Sequence, residues 1–243
     1  MKPLFFAVMF ANFLSIPAHA NKVIEPCLFK IVRSIKRDFL RVTSDEKQVS
    51  SISRVFLENS ARFQISVELL VAIAVVESNL NPQTNNTFND VKGIKGPLDG
   101  GLMGIRCVPG KVSTYCQNLH LPRAKAFELN VNVELAARYL RALQDKPVYL
   151  RVSGKRVRCL HKGHSAIAHY NWGNRVIRRG YASEYANRVA LIANHIAASR
   201  GNKPIPELAN VRTKLRYNAP NWLLFQQRVP KNICDVAVDQ FTD

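Results

Sequence analysis

The sequence predicts a mainly α-helical domain that carries one small β-hairpin and ends in an irregular C-terminal tail. Three observations lead there. Apolar residues recur at three- and four-residue intervals in several separate stretches, most of them opened by a capping residue or an acid. One stretch, around Ser153-Gly154, alternates instead with the two-residue period of strands. Beyond residue 200, Pro204, Pro206, Pro220 and Pro230 interrupt any period.

The chain has 243 residues, 47% of them apolar, which suits one medium domain with extensions and excludes wholesale disorder. The opening "MKPLFFAVMFANFLSIPAHA" reads as a secretory signal: Lys2, an apolar stretch to Ile16, and an Ala18-His19-Ala20 cleavage site. The apolar stretch is short for a membrane anchor, so cleavage after Ala20 and an exported product are expected, in the periplasm or cell envelope. Lys plus Arg number 35 against 17 Asp plus Glu, a net charge of +18. That excess favours a polyanionic partner, and outside the cytoplasm a cell-wall polymer or anionic surface fits better than nucleic acid. No helix carries a nucleic-acid reading motif, so no such partner is expected.

After the signal, "KIVRSIKRDFLRV" mixes basic and apolar residues at helical spacing, as a helix packed on the domain or lying on a membrane would. Packing is the expectation. "TSDEKQVSSISRVFLENSARFQ" opens on capping residues and acids, then repeats Val49, Ile52, Val55 and Phe56. Ser66 caps the next helix, which carries Leu69, Leu70, Ile73 and Val76, with Glu68 favourable in its first turn. Pro82 and its polar neighbours end it, and 82–101 reads as a polar loop long enough to suspect function. Asn132 is expected to cap "VELAARYLRAL". "VYLRVSGKRVRCL" is the hairpin, a basic protrusion bearing Arg151, Lys155, Arg156 and Arg158. "HSAIAHYNWG" reads as a short buried helix ending at Gly173, and Ser183 as the cap of a last helix whose Tyr185, Val189, Ile192 and Ile196 share a face.

One residue does not fit the core pattern. In "ELLVAIAVVESNLNP" the apolar run ends on a carboxylate, Glu77. Held beside such a run, a carboxylate loses hydration, its charged form is disfavoured and its pKa rises. That is the state a general acid needs near neutral pH. Taken alone, Glu77 reads more readily as a solvated helix-end charge.

Five ordered segments decide between these readings: "AIAVVESNLNP", "DGGLMGI", "NVNVELAARYLRAL", "AIAHYNWG" and "EYANRVALI". Together they resemble the soluble lytic transglycosylase (SLT) family of lysozyme-like domains, over roughly 55–198. The small exported members that accompany secretion systems look closest. The resemblance implies a lysozyme-like fold and a peptidoglycan substrate. It also implies cleavage of the MurNAc–GlcNAc β-1,4 bond without water, leaving 1,6-anhydro-MurNAc ends. It places the catalytic glutamate on Glu77 and substrate-binding positions on Ser78, Gly101, Leu102, Met103, Tyr170 and Asn171. Tyr170 would hydrogen-bond the glutamate and Ser78 would help position the substrate. No cofactor is implied, and an envelope or secretion complex is a candidate partner. A compact domain suggests endolytic cutting, by analogy. The division expected is a signal peptide (1–20), an N-terminal extension with a first helix (21–54), the catalytic domain (55–198, hairpin insertion about 147–160) and a tail (199–243).

This chain departs from the family pattern at Gly104, where the family usually writes Gln, and at Pro97-Leu98-Asp99, where a serine is usual. His169 and Trp172 are bulkier than the residues common beside the tyrosine-asparagine pair. Two rival functions follow. A goose-type muramidase shares the fold but activates water, which needs a second carboxylate roughly 6.5–9.5 Å from the acid; Asp90 and Asp99 are the candidates. A catalytically weak wall-binding subunit would use the basic surface alone, but it gives no reason to keep Glu77, Tyr170 and Asn171.

Five cysteines in an exported chain leave at least one outside any internal pair. Cys107 with Cys116 closes a short loop and is the first pairing expected; Cys27 with Cys234 would join the two ends of the mature chain. Cys159, His161, His164 and His169 match no standard zinc spacing, so no metal is expected.

Overall fold

The computed structural model describes residues 18–41, 45–86, 99–107, 124–145, 149–152, 155–158, 162–172, 181–205, 208 and 219–234. Among them are seven α-helices: α1 (Ala18–Ser34), α2 (Glu46–Phe63), α3 (Val67–Ser78), α4 (Leu129–Asp145), α5 (Lys162–Trp172), α6 (Tyr181–Ser199) and α7 (Ala219–Arg228). A small antiparallel sheet joins β1 (Asn85–Asn86), β2 (Asp99–Gly100) and β3 (Ile105–Arg106). The expected hairpin is β4 (Tyr149–Val152) and β5 (Lys155–Arg158), paired Val152 to Lys155 across Ser153-Gly154. The architecture is the mainly helical one predicted, and none of the described helices is long and apolar enough to cross a membrane.

α3 is the centre of the molecule because its sequence gives it no polar face. Every residue from Val67 to Val75 is buried, and a helix that is apolar all round is stable only when enclosed. α6 packs along it; α5 bridges α6 and α4, and α2 lies against α4 and α1. Ser66 caps α3 as expected, its Oγ accepting from the Leu69 amide at 3.3 Å. Glu68 does more than favour the first turn. It is buried, and it takes Arg200 at 2.5 Å, Asn202 at 3.1 Å and the Ser66 hydroxyl.

The other end of α3 stops at Ser78, ahead of Pro82. Asn79 and Leu80 both turn left-handed, with φ of 53° and 54°, and the Leu80 amide returns to the Ala74 carbonyl at 3.2 Å. A left-handed leucine is costly; here its side chain is completely buried. The Leu80 carbonyl is met by the buried Lys36 ammonium at 3.2 Å, which also donates to Gln48. Burial pulls the Lys36 pKa down.

Lys36 belongs to the N-terminal extension, which packs on the domain as expected. Leu28, Ile31, Val32 and Ile35 are fully buried at helical spacing, and α1 runs on into a π-helical turn, Ile35–Phe39.

Three expectations need correction. Asn132 does not cap α4, which already begins at Leu129; Asn132 lies within its first turn with its side chain buried. Ser183 lies inside α6 rather than before it. The tail is not irregular throughout, because "APNWLLFQQR" forms α7 despite the prolines around it. α7 begins at Ala219 with Pro220 next, where a missing amide costs little. Phe225, Val229 and Ile233 from this tail are buried, worth roughly 1.5–3 kcal/mol each as an upper estimate. Phe225 packs edge-on to Phe39 and stacks with Trp222. The Cys27–Cys234 disulfide is present and joins α1 to this tail. Cys107 is also disulfide-bonded; its expected partner Cys116 lies outside the described residues.

Candidate functional site

Glu77 occupies the last turn of α3, where the enclosed helix emerges. Burial pushes its pKa up; hydrogen bonds from Tyr185 and Asn171 work against that shift, and the negative charge of Asp99 adds to it. The direction is the one the sequence predicts.

Three elements converge on this carboxyl. From α6, the Tyr185 hydroxyl donates to Oε1 at 2.5 Å. From the end of α5, Asn171 donates to the same oxygen at 3.4 Å. The turn between β2 and β3, residues 101–104, presents the Gly104 backbone to Oε2. With two donors on Oε1 and, among the described residues, no hydrogen bond on Oε2, the neutral acid carries its proton on Oε2. Tyr185 and Tyr170 are themselves held well above the usual phenol range, by burial first and then by the charge of Glu77. Both therefore remain donors at any physiological pH.

Tyr170 does not bond the carboxylate, contrary to expectation. Its hydroxyl donates to the Met103 carbonyl at 2.7 Å. Tyr185 takes the place expected of it. In the sequence Tyr185 reads as one more core residue on the face of α6. The available signal was its hydroxyl, since a tyrosine among buried aliphatics must find an acceptor.

Ser78 also has a different task. It is buried, and its hydroxyl lies 2.7 Å from the Leu102 carbonyl and 3.0 Å from that of Ala74. It ties the 101–104 turn to α3. Leu102 and Met103 are fully buried, so this segment faces the site through its backbone rather than its side chains. Asn132 completes the clamp, accepting from the Met103 amide at 2.7 Å and donating to the carbonyls of Gly100 and Ala126. Gly101 must be glycine here: its φ is +74°, and a Cβ would lie 2.4 Å from the Asn132 amide nitrogen.

Asp99, one of the two candidate second carboxylates, sits on β2 with its side chain 19% exposed and Arg106 Nε 3.5 Å from Oδ1. Oδ1 is buried without a hydrogen bond among the described residues. Burial raises the Asp99 pKa and Arg106 opposes the shift. Asp90 lies outside the described residues, as do Cys159, His161 and the side chains of His164 and Trp172. His169 is described: burial lowers its pKa, and its Nε2 is buried without a partner among the described residues, which suits a neutral ring.

A cavity of about 340 Å³ lies at the opposite end of α3, lined by Gln64, Ser66, Glu68, Arg141 and Asn202 among others. Nine residues of helix separate Glu68 from Glu77, roughly 13 Å at the helical rise. The Glu68 carboxylate is already engaged by Ser66, Arg200 and Asn202, which leaves Glu77 as the candidate acid of this helix.

The family model for the transglycosylase SLT domain matches residues 54–191. The chain belongs to that family, and with membership comes a lytic-transglycosylase type of action on peptidoglycan, outside the cytoplasm. No match was found among curated proteins or among solved structures.

Proposed function

We propose that this SLT-family protein cleaves the MurNAc–GlcNAc β-1,4 bond of peptidoglycan, with Glu77 as both acid and base, and releases 1,6-anhydro-MurNAc ends. The observation that carries the reading is the carboxyl of Glu77 itself. It is desolvated, its Oε1 is held by Tyr185 and Asn171, and its Oε2 takes no hydrogen bond among the described residues.

The chemistry follows from that arrangement. Glu77 gives its proton to the glycosidic oxygen, which leaves as the 4-hydroxyl of GlcNAc. Positive charge develops at C1 of MurNAc. The carboxylate left behind is stabilised by the two donors on Oε1. It then takes the proton from the C6 hydroxyl of the same MurNAc as that oxygen bonds to C1. The nucleophile belongs to the substrate, so one carboxyl suffices. The net charge of +18 favours an anionic wall polymer. An exported protein with this activity serves local wall remodelling, and a secretion or envelope complex is the partner such remodelling would accompany.

A second reading is favoured by one observation: the charge of Asp99 is felt at Glu77. In a muramidase Asp99 would take a proton from water, the water would add to C1, and the product would be a reducing end.

Digestion of purified sacculi by residues 21–243 and by Glu77→Gln, with mass spectrometry of the muropeptides, tests both. Anhydro ends from the first protein only are expected. Reducing ends would transfer the reading to the muramidase, and sacculus binding without products would leave a wall-binding subunit.

A further inference from the structure

Gly104 stands where the family resemblance leads one to expect glutamine, and the sequence alone suggests a lost glycan contact. The geometry points elsewhere. Gly104 has φ +60°, and a Cβ at this position would lie 2.6 Å from Oε2 of Glu77, 3.1 Å from its Cδ and 3.2 Å from its Cβ. All three are inside the roughly 3.5–4.0 Å of a comfortable carbon contact. The backbone of the turn and the carboxyl thus occupy adjoining space with no room for a side chain between them.

Which side would yield is also determined. The turn is held by Ser78 at the Leu102 carbonyl, by Asn132 at the Met103 amide and by Tyr170 at the Met103 carbonyl. It is closed by antiparallel pairing of Gly100 with Ile105. Glu77 is held at its tip by the two donors on Oε1. The carboxyl is the movable partner.

We propose that Gly104 is a positioning residue of this active site: its bare backbone lets Glu77 keep Oε1 on Tyr185 while Oε2 stays uncovered for the glycosidic oxygen. The inference rests on the reading of Glu77 as the acid and extends it. Restoring the family's glutamine then harms the enzyme rather than improving it. Gly104→Gln and Gly104→Ala both swing the carboxyl off Tyr185, and a misplacement of about 1 Å costs on the order of 10²-fold in rate.

Gly201 supplies the control. It has φ +70° with nothing within 4 Å of a Cβ, so Gly201→Ala carries the backbone strain without the collision. On soluble glycan strands, Gly104→Ala and Gly104→Gln are expected to lose about 10²-fold in kcat with KM unchanged; Gly201→Ala keeps wild-type kcat. Wild-type kcat in Gly104→Ala, or a loss confined to KM, overturns the inference and leaves the acid/base reading of Glu77 standing. A wild-type protein that releases no anhydro ends overturns both.

Melting temperatures give a readout that needs no activity. Gly104→Ala should lower Tm less in a Glu77→Ala background than in the wild type, because two of its three close contacts are then gone. Equal losses in the two backgrounds overturn the inference even where the variant is too unstable to assay.

Discussion

Tyr185 reaches Glu77 from 108 positions further along the chain, its hydroxyl donating to Oε1 at 2.5 Å. A donor of this kind favours the charged carboxylate, so it stabilises the state Glu77 enters once it has given up its proton. The partner Tyr170, which the family resemblance would place there, holds the Met103 carbonyl instead.

The two tyrosines are therefore separable. Tyr185→Phe removes a hydrogen bond to a charged group, worth about 1.5–3 kcal/mol, or roughly tenfold to 10²-fold in kcat. It also raises the Glu77 pKa further, so the alkaline limb of the pH–rate profile moves to higher pH. Tyr170→Phe leaves a buried carbonyl short of a donor at about 1–3 kcal/mol. Its main effect is a lower Tm in thermal unfolding, with the alkaline limb unmoved.

Glu77→Gln abolishes turnover in the proposed mechanism and should also stabilise the fold. The folded-state pKa of Glu77 lies above its ordinary 4.5, so the folded protein holds this proton more tightly than the unfolded chain does. Stability is then lost as pH rises from about the ordinary value through the folded one. The gain from Gln should be absent in acid and grow with pH across that window. Urea unfolding of both proteins from pH 4 to 8 checks the sign; a gain that shrinks with pH contradicts the raised pKa.

Asp99→Asn removes a like charge from the neighbourhood of Glu77. The Glu77 pKa falls, and the alkaline limb moves to lower pH, opposite to the Tyr185→Phe shift. The anhydro products should persist. If the wild type instead yields reducing ends that vanish in Asp99→Asn, Asp99 activates water.

Glu68 and Arg200 form an ion pair whose side chains are 8% and 9% exposed. Arg200→Met leaves the carboxylate buried without its cation, at about 3–5 kcal/mol. For a chain of this size that lowers Tm by roughly 2–4 °C per kcal/mol. Adding Glu68→Gln should recover most of the loss, and differential scanning calorimetry of the three variants closes the cycle.

Much of this architecture is legible in the residues. The enclosed helix α3, its Ser66 cap, the pairing of β4 with β5 and the packed N-terminal helix all follow from spacing and local chemistry. The misreadings share a cause. Asn132 looks like a cap because an asparagine before an apolar run satisfies amides wherever it lies; only the fold shows that the amide it meets is that of Met103 in the 101–104 turn. Tyr185 looks like core because its ring is core, while its hydroxyl serves a carboxyl 108 positions away. Gly104 looks like a missing side chain, since a sequence displays what a residue lacks and not what occupies the space. α7 hides among prolines because its reason to form is the aromatic cluster waiting in Phe39 and His195.

The Cys27–Cys234 bridge spans 207 positions and constrains how the chain is made. A ribosome delivers Cys27 first of the five and Cys234 last, with Cys107, Cys116 and Cys159 between them. If the segment crosses into an oxidising compartment in that order, Cys27 meets three wrong partners before its own arrives. It must stay reduced throughout, or bond wrongly and be released. Wherever Cys27 bonds wrongly first, yield of the native protein depends on a disulfide isomerase as well as an oxidant.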